Sequence, residues 1–339
     1  MWKDAKYLLA YIAPLAAYLG IYNGGIWSLG SIYVGFVIIP FLELFLPGTG
    51  QNPSPQEAAI RADRRFFDLL LYLNIPILWG LIAYYFHTID HRILSTGELI
   101  GMTLNVGLVV GTIGINVAHE LGHRTRQEEQ WMAQFLLLGA LYMHFFIEHN
   151  RGHHKNVGTD LDPASAKAGE TIYAFWWRSI RGGYRNAWKL EQERLQRAGL
   201  PVWSLHNQML RFQLLQLGYL VTVGWLHGLA MVGFAVAIAV VGFLLLESVN
   251  YIEHYGLRRQ LLPSGRYEPV EPRHSWNSNH ELGRIFLYEL TRHSDHHFKA
   301  TRKYQVLRHF DDSPQLPTGY PGAILTALIP PLWFRMMGG

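Results

Sequence analysis

Apolar stretches of near-membrane length alternate with long polar segments along this chain. Runs at about Tyr7–Tyr22, Ile26–Leu46, Phe67–Phe86 and Gly97–Ala118 fill the first third, and a longer one, Phe212–Glu247, comes later. A spanning helix needs about 20 apolar residues, so the longer run divides into two spans, with the break at His227–Gly228. The expected spans are therefore 7–22, 26–46, 67–86, 97–118, 212–227 and 229–247. Asn23-Gly24-Gly25 reads as a tight turn that makes the first two a hairpin, and Pro14 lies inside the short first run. Trp131–Ile147 is also apolar, but histidines flank it on both sides. If those histidines share one site, the run cannot cross, and it is expected to be re-entrant or packed within a cap. The segments at about 119–207 and 250–339 read as one folded cap, and Glu191–Arg197 reads as a solvated helix face within it. Tyr320–Met337, interrupted by Pro321, Pro330 and Pro331, reads as interfacial. The expected fold is all-α: a single polytopic membrane domain, 1–339, with about six transmembrane helices and a histidine-rich cap.

Composition supports a membrane protein. Half of the 339 residues are hydrophobic and 16% are charged, against roughly 25% charged in soluble domains. No cysteine is present, which excludes disulfides, thiolate metal sites, iron–sulfur clusters and a cysteine nucleophile. No cleavable signal peptide is evident, since the first apolar run is followed at once by a second. The net charge of +4 fits inner loops that face anionic lipid better than it fits nucleic acid. With six spans and an inner N-terminus, the outer loops hold one basic residue, Arg92, and the cap holds most of the others. All the histidine-rich segments then fall on the inner, cytoplasmic side.

Four histidine groups stand out. They are HELGH (119–123), EHNRGHH (148–154), the lone His254 in NYIEH, and RHSDHH (292–297). Alone, HELGH matches a zinc-protease signature, with Glu120 as the base. Spacings of three and four set side chains one turn apart on one helical face, so that two imidazoles can reach one metal. Adjacent pairs such as His153-His154 diverge and can serve two metals. Nine boxed imidazoles are too many for one zinc, and two metals with four or five each would use them all. Histidine suits zinc, copper, iron and nickel, so spacing does not choose the metal. Glu120, Glu148, Glu253 and Asp295 each lie beside a boxed histidine. They are candidates to accept the second ring N–H of a ligand, each from another box. The lone His87, His91, His206, His227 and His309 read as loop, interface or core residues, whereas His144, His274 and His280 are placed near the site less clearly.

The boxes resemble those of the membrane desaturase/hydroxylase superfamily. NYIEHYGL (250–257), RHSDHH with TRKYQVLR (301–308), SWNSNH (275–280) and LPTGYPGA (316–323) resemble more specifically the integral-membrane alkane 1-monooxygenases. The resemblance covers about residues 60–335. It implies a non-haem di-iron enzyme of the bacterial cytoplasmic membrane that oxidises n-alkanes to 1-alkanols with O2 and two electrons from rubredoxin and its reductase. By motif, the ligands of the two iron ions would be His119, His123, His149, His153, His154, His254, His293, His296 and His297, with His254 resting mostly on the family motif. No rubredoxin domain lies within a chain without cysteine. A strong, non-acidic C–H bond needs a redox centre, and an alkane with no polar handle needs an apolar channel. Trp79, Leu108 and Ile113 are the guesses for its lining, with spans two to four contributing. Arg178, Arg181, Arg185, Arg258, Arg259, Arg302 and Lys303 are the guesses for the electron-donor docking face, by charge complementarity. Acyl desaturation, fatty-acid hydroxylation and alkyl-aromatic hydroxylation remain the alternatives within the superfamily.

Overall fold

The computed structural model describes residues 2–46 and 48–338. Its described elements are helical, with isolated bridges in place of strands. Five helices are long and apolar enough to cross a membrane: α1 (Asp4–Asn23), α2 (Gly25–Glu43), α3 (Arg65–His91), α4 (Thr96–Gly122) and, after the cap helices, Leu229–His254. The cap contributes α5 (Gln127–Gly139) and α6 (Ile172–Arg197). Next comes α7 (Gln208–His227), and Leu229–His254 is α8. The sixth expected span is thus a 20-residue helix, α7, but it does not reach the hydropathy of the other five. Gln208, Arg211, Gln213 and Gln216 in its first half dilute its apolar residues.

The turns follow from residue type. Gly24 and Gly25 have φ of 67° and 54°, a left-handed backbone that closes the α1–α2 hairpin at little cost. Gly228, at φ 88°, does the same between α7 and α8. Pro14 is absorbed because a 3-10 segment runs to Tyr11 and the α-helical part starts at Ile12. Proline there falls in a first turn, where its missing N–H is not needed. The run 131–147 does not continue as one helix. It breaks after Gly139, and Leu141 takes a left-handed φ of 49°. Two other expectations change. Glu191 is fully buried and is held by Arg151 and Arg194, so the solvated face of this stretch is formed by Gln192, Gln196 and Arg197 and does not include Glu191. The C-terminal segment is not merely superficial, because Tyr320, Ala323, Ala327 and Trp333 are buried, and Trp333 lies 5.6 Å from Tyr251 of α8.

Two devices join the hairpin and α8 to α4. A polar knot ties α1, α2 and α4 deep in the bundle. Asn105 Oδ1 accepts from Ser31 N (2.7 Å), the Asn105 carbonyl accepts from Ser31 Oγ (2.8 Å), and Asn105 Nδ2 donates to the Ala17 carbonyl (3.1 Å). On the other face of α4, glycines let α8 approach. A Cβ on Gly107 would lie 2.5 Å from Val241 Cβ, and one on Gly111 would lie 2.9 Å from the Gly242 carbonyl oxygen. Small residues four apart are a common close-packing device between membrane helices. Gly111→Leu is expected to cost about 1–3 kcal/mol by overpacking, read as a lower unfolding temperature in detergent. An unchanged temperature would mean that this seam has slack.

Candidate metal centre

Each histidine group arrives on its own element. His119 lies in the last turn of α4 and His123 just past its end, while His254 is the last residue of α8. His293, His296 and His297 lie on the short helix α9 (His293–Phe298). The second box differs from an α-helix, because His149–His153 is one π turn. In an α-helix, residues five apart point roughly 140° away from each other. The i→i+5 bonding of a π turn stacks them instead.

The winding decides the grouping. All nine boxed histidines converge, and they do so as two sets. His119, His123, His149, His154 and His296 form one; His153, His254, His293 and His297 form the other, with the ligand-capable atoms of each set within 4.8 Å of one another. In the first set, His149 Nε2 lies 3.0 Å from both His123 Nε2 and His154 Nε2, and His296 Nε2 lies 3.1 Å from His154 Nε2. In the second, His297 Nε2 lies 2.8 Å from His293 Nε2 and 3.2 Å from His153 Nε2, and His293 Nε2 lies 3.2 Å from His254 Nε2. Both adjacent pairs, His153-His154 and His296-His297, are split between the sets. His149 joins His154, five residues on, although i, i+4 spacing had paired it with His153.

This chemistry suits cations. Lone pairs from several neutral imidazoles converge, and they cannot all satisfy one another by hydrogen bonds. His119 Nε2 is buried without a partner among the described residues. Burial pushes His123 down to about 3 and holds His149, His154, His293, His296 and His297 well below the ordinary histidine range. The rings therefore stay neutral, as metal ligands must. His153 is the exception. Burial lowers its pKa, but the Asp162 carboxylate outweighs that and leaves it raised. Its Nδ1–H donates to Asp162 Oδ2 at 2.9 Å, which turns Nε2 inward. Asp162 is fixed in turn by Ser165 Oγ (2.6 Å) and the Ala164 N–H (3.0 Å).

The acids expected from sequence behave differently. Glu120 accepts from Arg124 (2.8 Å) and from the Tyr304 N–H (3.2 Å), and it bonds no histidine among the described residues. Asp295 holds Arg302 (3.1 Å) and Arg308 (3.0 Å). Glu148 accepts from Asn186 (3.1 Å), and burial pushes it up to about 7. Only Glu253 lies against a boxed histidine, and on the inner side: its Oε2 is 3.2 Å from His293 Nε2, while its Oε1 accepts from Tyr320 (2.8 Å). The reason is rotational, since a neighbour on a helix points about 100° away and meets whatever packs there. Asp162 was missed. Its signal is the Asp-Leu-Asp-Pro stretch that follows the second box. His144, His274 and His280 lie outside both sets.

An apolar cavity leads from the centre into the bundle. Its walls include Ala13 of α1, Val34 and Phe36 of α2, Leu108 and Ile113 of α4, and Leu245 of α8, and it reaches His119, His149 and His293. Leu108 and Ile113 are among its lining residues. Trp79 is not: it stacks on Phe135 at 4.8 Å, and no α3 residue lines this cavity. The helical walls come from α1, α2, α4 and α8, and Phe286, Leu287, Tyr320 and Ile324 of the cap complete them. Of the basic residues expected at a docking face, Arg178 is bound by Glu170, Arg302 by Asp295 and Lys303 by Asp68, while Arg259 donates to backbone carbonyls. Arg181 lies over Trp177, and Arg181, Arg185 and Arg258 have no ion pair among the described residues.

Spanning helices around a buried double cluster of histidines define a membrane-embedded metalloprotein. The profile of the fatty acid desaturase family matches residues 98–323. Alkane 1-monooxygenase 2 of Pseudomonas aeruginosa is 42% identical over 99% of this chain and 92% of its own length. Alkane 1-monooxygenase 1 of Alcanivorax borkumensis is 38% identical over 99% of this chain and 84% of its own. The xylene/toluene monooxygenase hydroxylase component of Pseudomonas putida is 29% identical over 98% of this chain and 87% of its own. The chain belongs to the fatty acid desaturase family of membrane proteins, on the branch of the alkane 1-monooxygenases.

Proposed function

We propose that the protein hydroxylates the terminal carbon of n-alkanes, using O2 and two electrons from a rubredoxin, at a di-iron centre facing the cytoplasm. The observation that carries this reading is the apolar cavity ending on the two histidine sets. One iron would be held by His119, His123, His149, His154 and His296, and the other by His153, His254, His293 and His297. When bound, the irons supply the O2 activation and one-electron chemistry that no side chain of this chain can provide.

The remaining work falls to the protein. Each methylene buried in the cavity contributes about 0.8 kcal/mol, so an alkane is held by burial alone. Leu108 and His119 are eleven residues apart on α4, at most about 16 Å along its axis, because Val110–Ile115 between them is wound as a π turn with a smaller rise per residue. At roughly 1.3 Å per carbon for an extended chain with ordinary C–C bonds, that length holds at most about twelve carbons. The walls leave one end of the chain at the histidines and keep water from it. Ala13→Phe would place a ring in the cavity wall, so activity on dodecane should fall well before activity on octane, read as the ratio of the two 1-alkanols. Equal losses on both would sink the length-gauge idea. Cytoplasmic sidedness rests on the basic cap, and Arg181, Arg185 and Arg258 are the residues left to meet an acidic electron donor.

The zinc-protease reading fails on Glu120, whose carboxylate is occupied by Arg124 and the Tyr304 N–H. The decisive experiment measures metal in the purified protein and 1-alkanol formation from octane with reduced rubredoxin, with p-xylene as the competing substrate. About two irons per chain and 1-octanol support the proposal. One zinc with no alkanol would refute it, and preferential attack on p-xylene would move the substrate to alkyl-aromatics.

A further inference from the structure

At the head of α7, three guanidinium groups from three parts of the chain surround one small pocket. Arg151 comes from the π turn of the second box, Arg194 from α6 and Arg211 from the first turn of α7, with Leu205, His206 and Gln208 completing the lining. One buried carboxylate stands among them. Glu191 takes Arg151 at 3.1 Å and Arg194 through two bonds of 2.7 and 2.8 Å, and it accepts the Gln208 N–H at 2.7 Å. Arg211 has no side-chain partner among the described residues and is exposed. Three positive charges against one negative leave the pocket strongly cationic.

Its position narrows the ligand. α7 and α8 are joined at Gly228, and α8 ends at His254, so the head of α7 lies at the metal-centre end of the bundle. Below Arg211, one side of α7 carries Leu214, Leu215, Val221 and Trp225, all exposed. Residues spaced by three and four share that side. A cationic pocket therefore caps an apolar stripe about 17 Å long, roughly the depth of one leaflet of the bilayer. A ligand that fits both parts carries a phosphate at its head and acyl chains beneath.

We propose that this pocket binds the phosphodiester of an anionic phospholipid, whose chains lie along the Leu214–Val221 side of α7. Arg151 makes the site more than a surface anchor, since it shares its π turn with His149 and His153. A bound phosphate would brace that turn from outside.

The test uses the full chain with its metals, purified in detergent and titrated with phosphatidylglycerol or phosphatidylcholine, with bound lipid counted by native mass spectrometry. Phosphatidylglycerol should bind in preference. Arg211→Gln, which breaks no ion pair, should weaken it about fivefold, the worth of one basic residue at an anionic surface. Arg197→Gln, exposed on α6 outside the pocket, should bind as the parent does. Unchanged affinity in Arg211→Gln would overturn the proposal. Glycerol phosphate binding as tightly as the lipid would also overturn it, by making the ligand a soluble anion.

Discussion

Alanine at His153 and alanine at His154 are expected to remove different irons of the proposed di-iron centre. The two residues are chain neighbours, yet their rings belong to opposite sets, with centroids 6.0 Å apart. Each variant should keep about half of the iron, and the two retained signals should differ in a Mössbauer spectrum of enriched protein. Hydroxylation should fall in both by at least about 100-fold, since losing a direct ligand costs more than losing the partner that orients one. His296→Ala should match His154→Ala, and His297→Ala should match His153→Ala. If the two neighbours lose the same spectral component, the division into sets is wrong.

Asp162→Asn should bring the next largest loss. The carboxylate accepts the His153 Nδ1–H and thereby leaves Nε2 bare toward His297. An asparagine that keeps the Ser165 and Ala164 contacts can present its NH2 group to the ring. That favours the other tautomer, with the proton on the inner nitrogen. Affinity for the second iron should drop about 10–100-fold, measured by ferrous titration of the metal-free protein. Helical circular dichroism should stay unchanged, because His153 and Asp162 are still hydrogen-bonded. A titration like that of the parent would remove Asp162 from the centre.

The sequence made some of this legible and hid the rest for physical reasons. Long apolar runs and glycine turns report the hairpin and the positions of the long helices, because lipid-facing helices must be apolar throughout. Histidine boxes report the two sets, because imidazoles at these spacings have few other uses. Helical phase was harder to read. The π turn at 149–153 moves His154 onto the face of His149, and nothing in HNRGH marks it. The acids were misassigned for the same reason: Glu120 and Asp295 are close to histidines in sequence but face arginines in space. Asp162 lies outside any box and was invisible to spacing. Trp79 was a plausible wall for a span of the bundle, but the cavity is lined by α1, α2, α4, α8 and residues of the cap.

The Asn105 knot bears on how an oily molecule could enter from the bilayer. Parting α2 from α4 at that level would strip Ser31 and Asn105 of their partners in a medium that offers no replacements, a penalty of several kcal/mol. Nearer the histidines, where Gly35 faces Leu108, no hydrogen bond joins α2 to α4 among the described residues. The hairpin is thus pinned in its outer half by Asn105 and at its inner end by the Lys6–Glu281 and Asp4–Arg61 pairs and by Glu43, which accepts the Gly283 N–H at 3.0 Å. Any sideways opening of the wall would fall between these two pins, at the level of Gly35 and Leu108, instead of at either end of the hairpin.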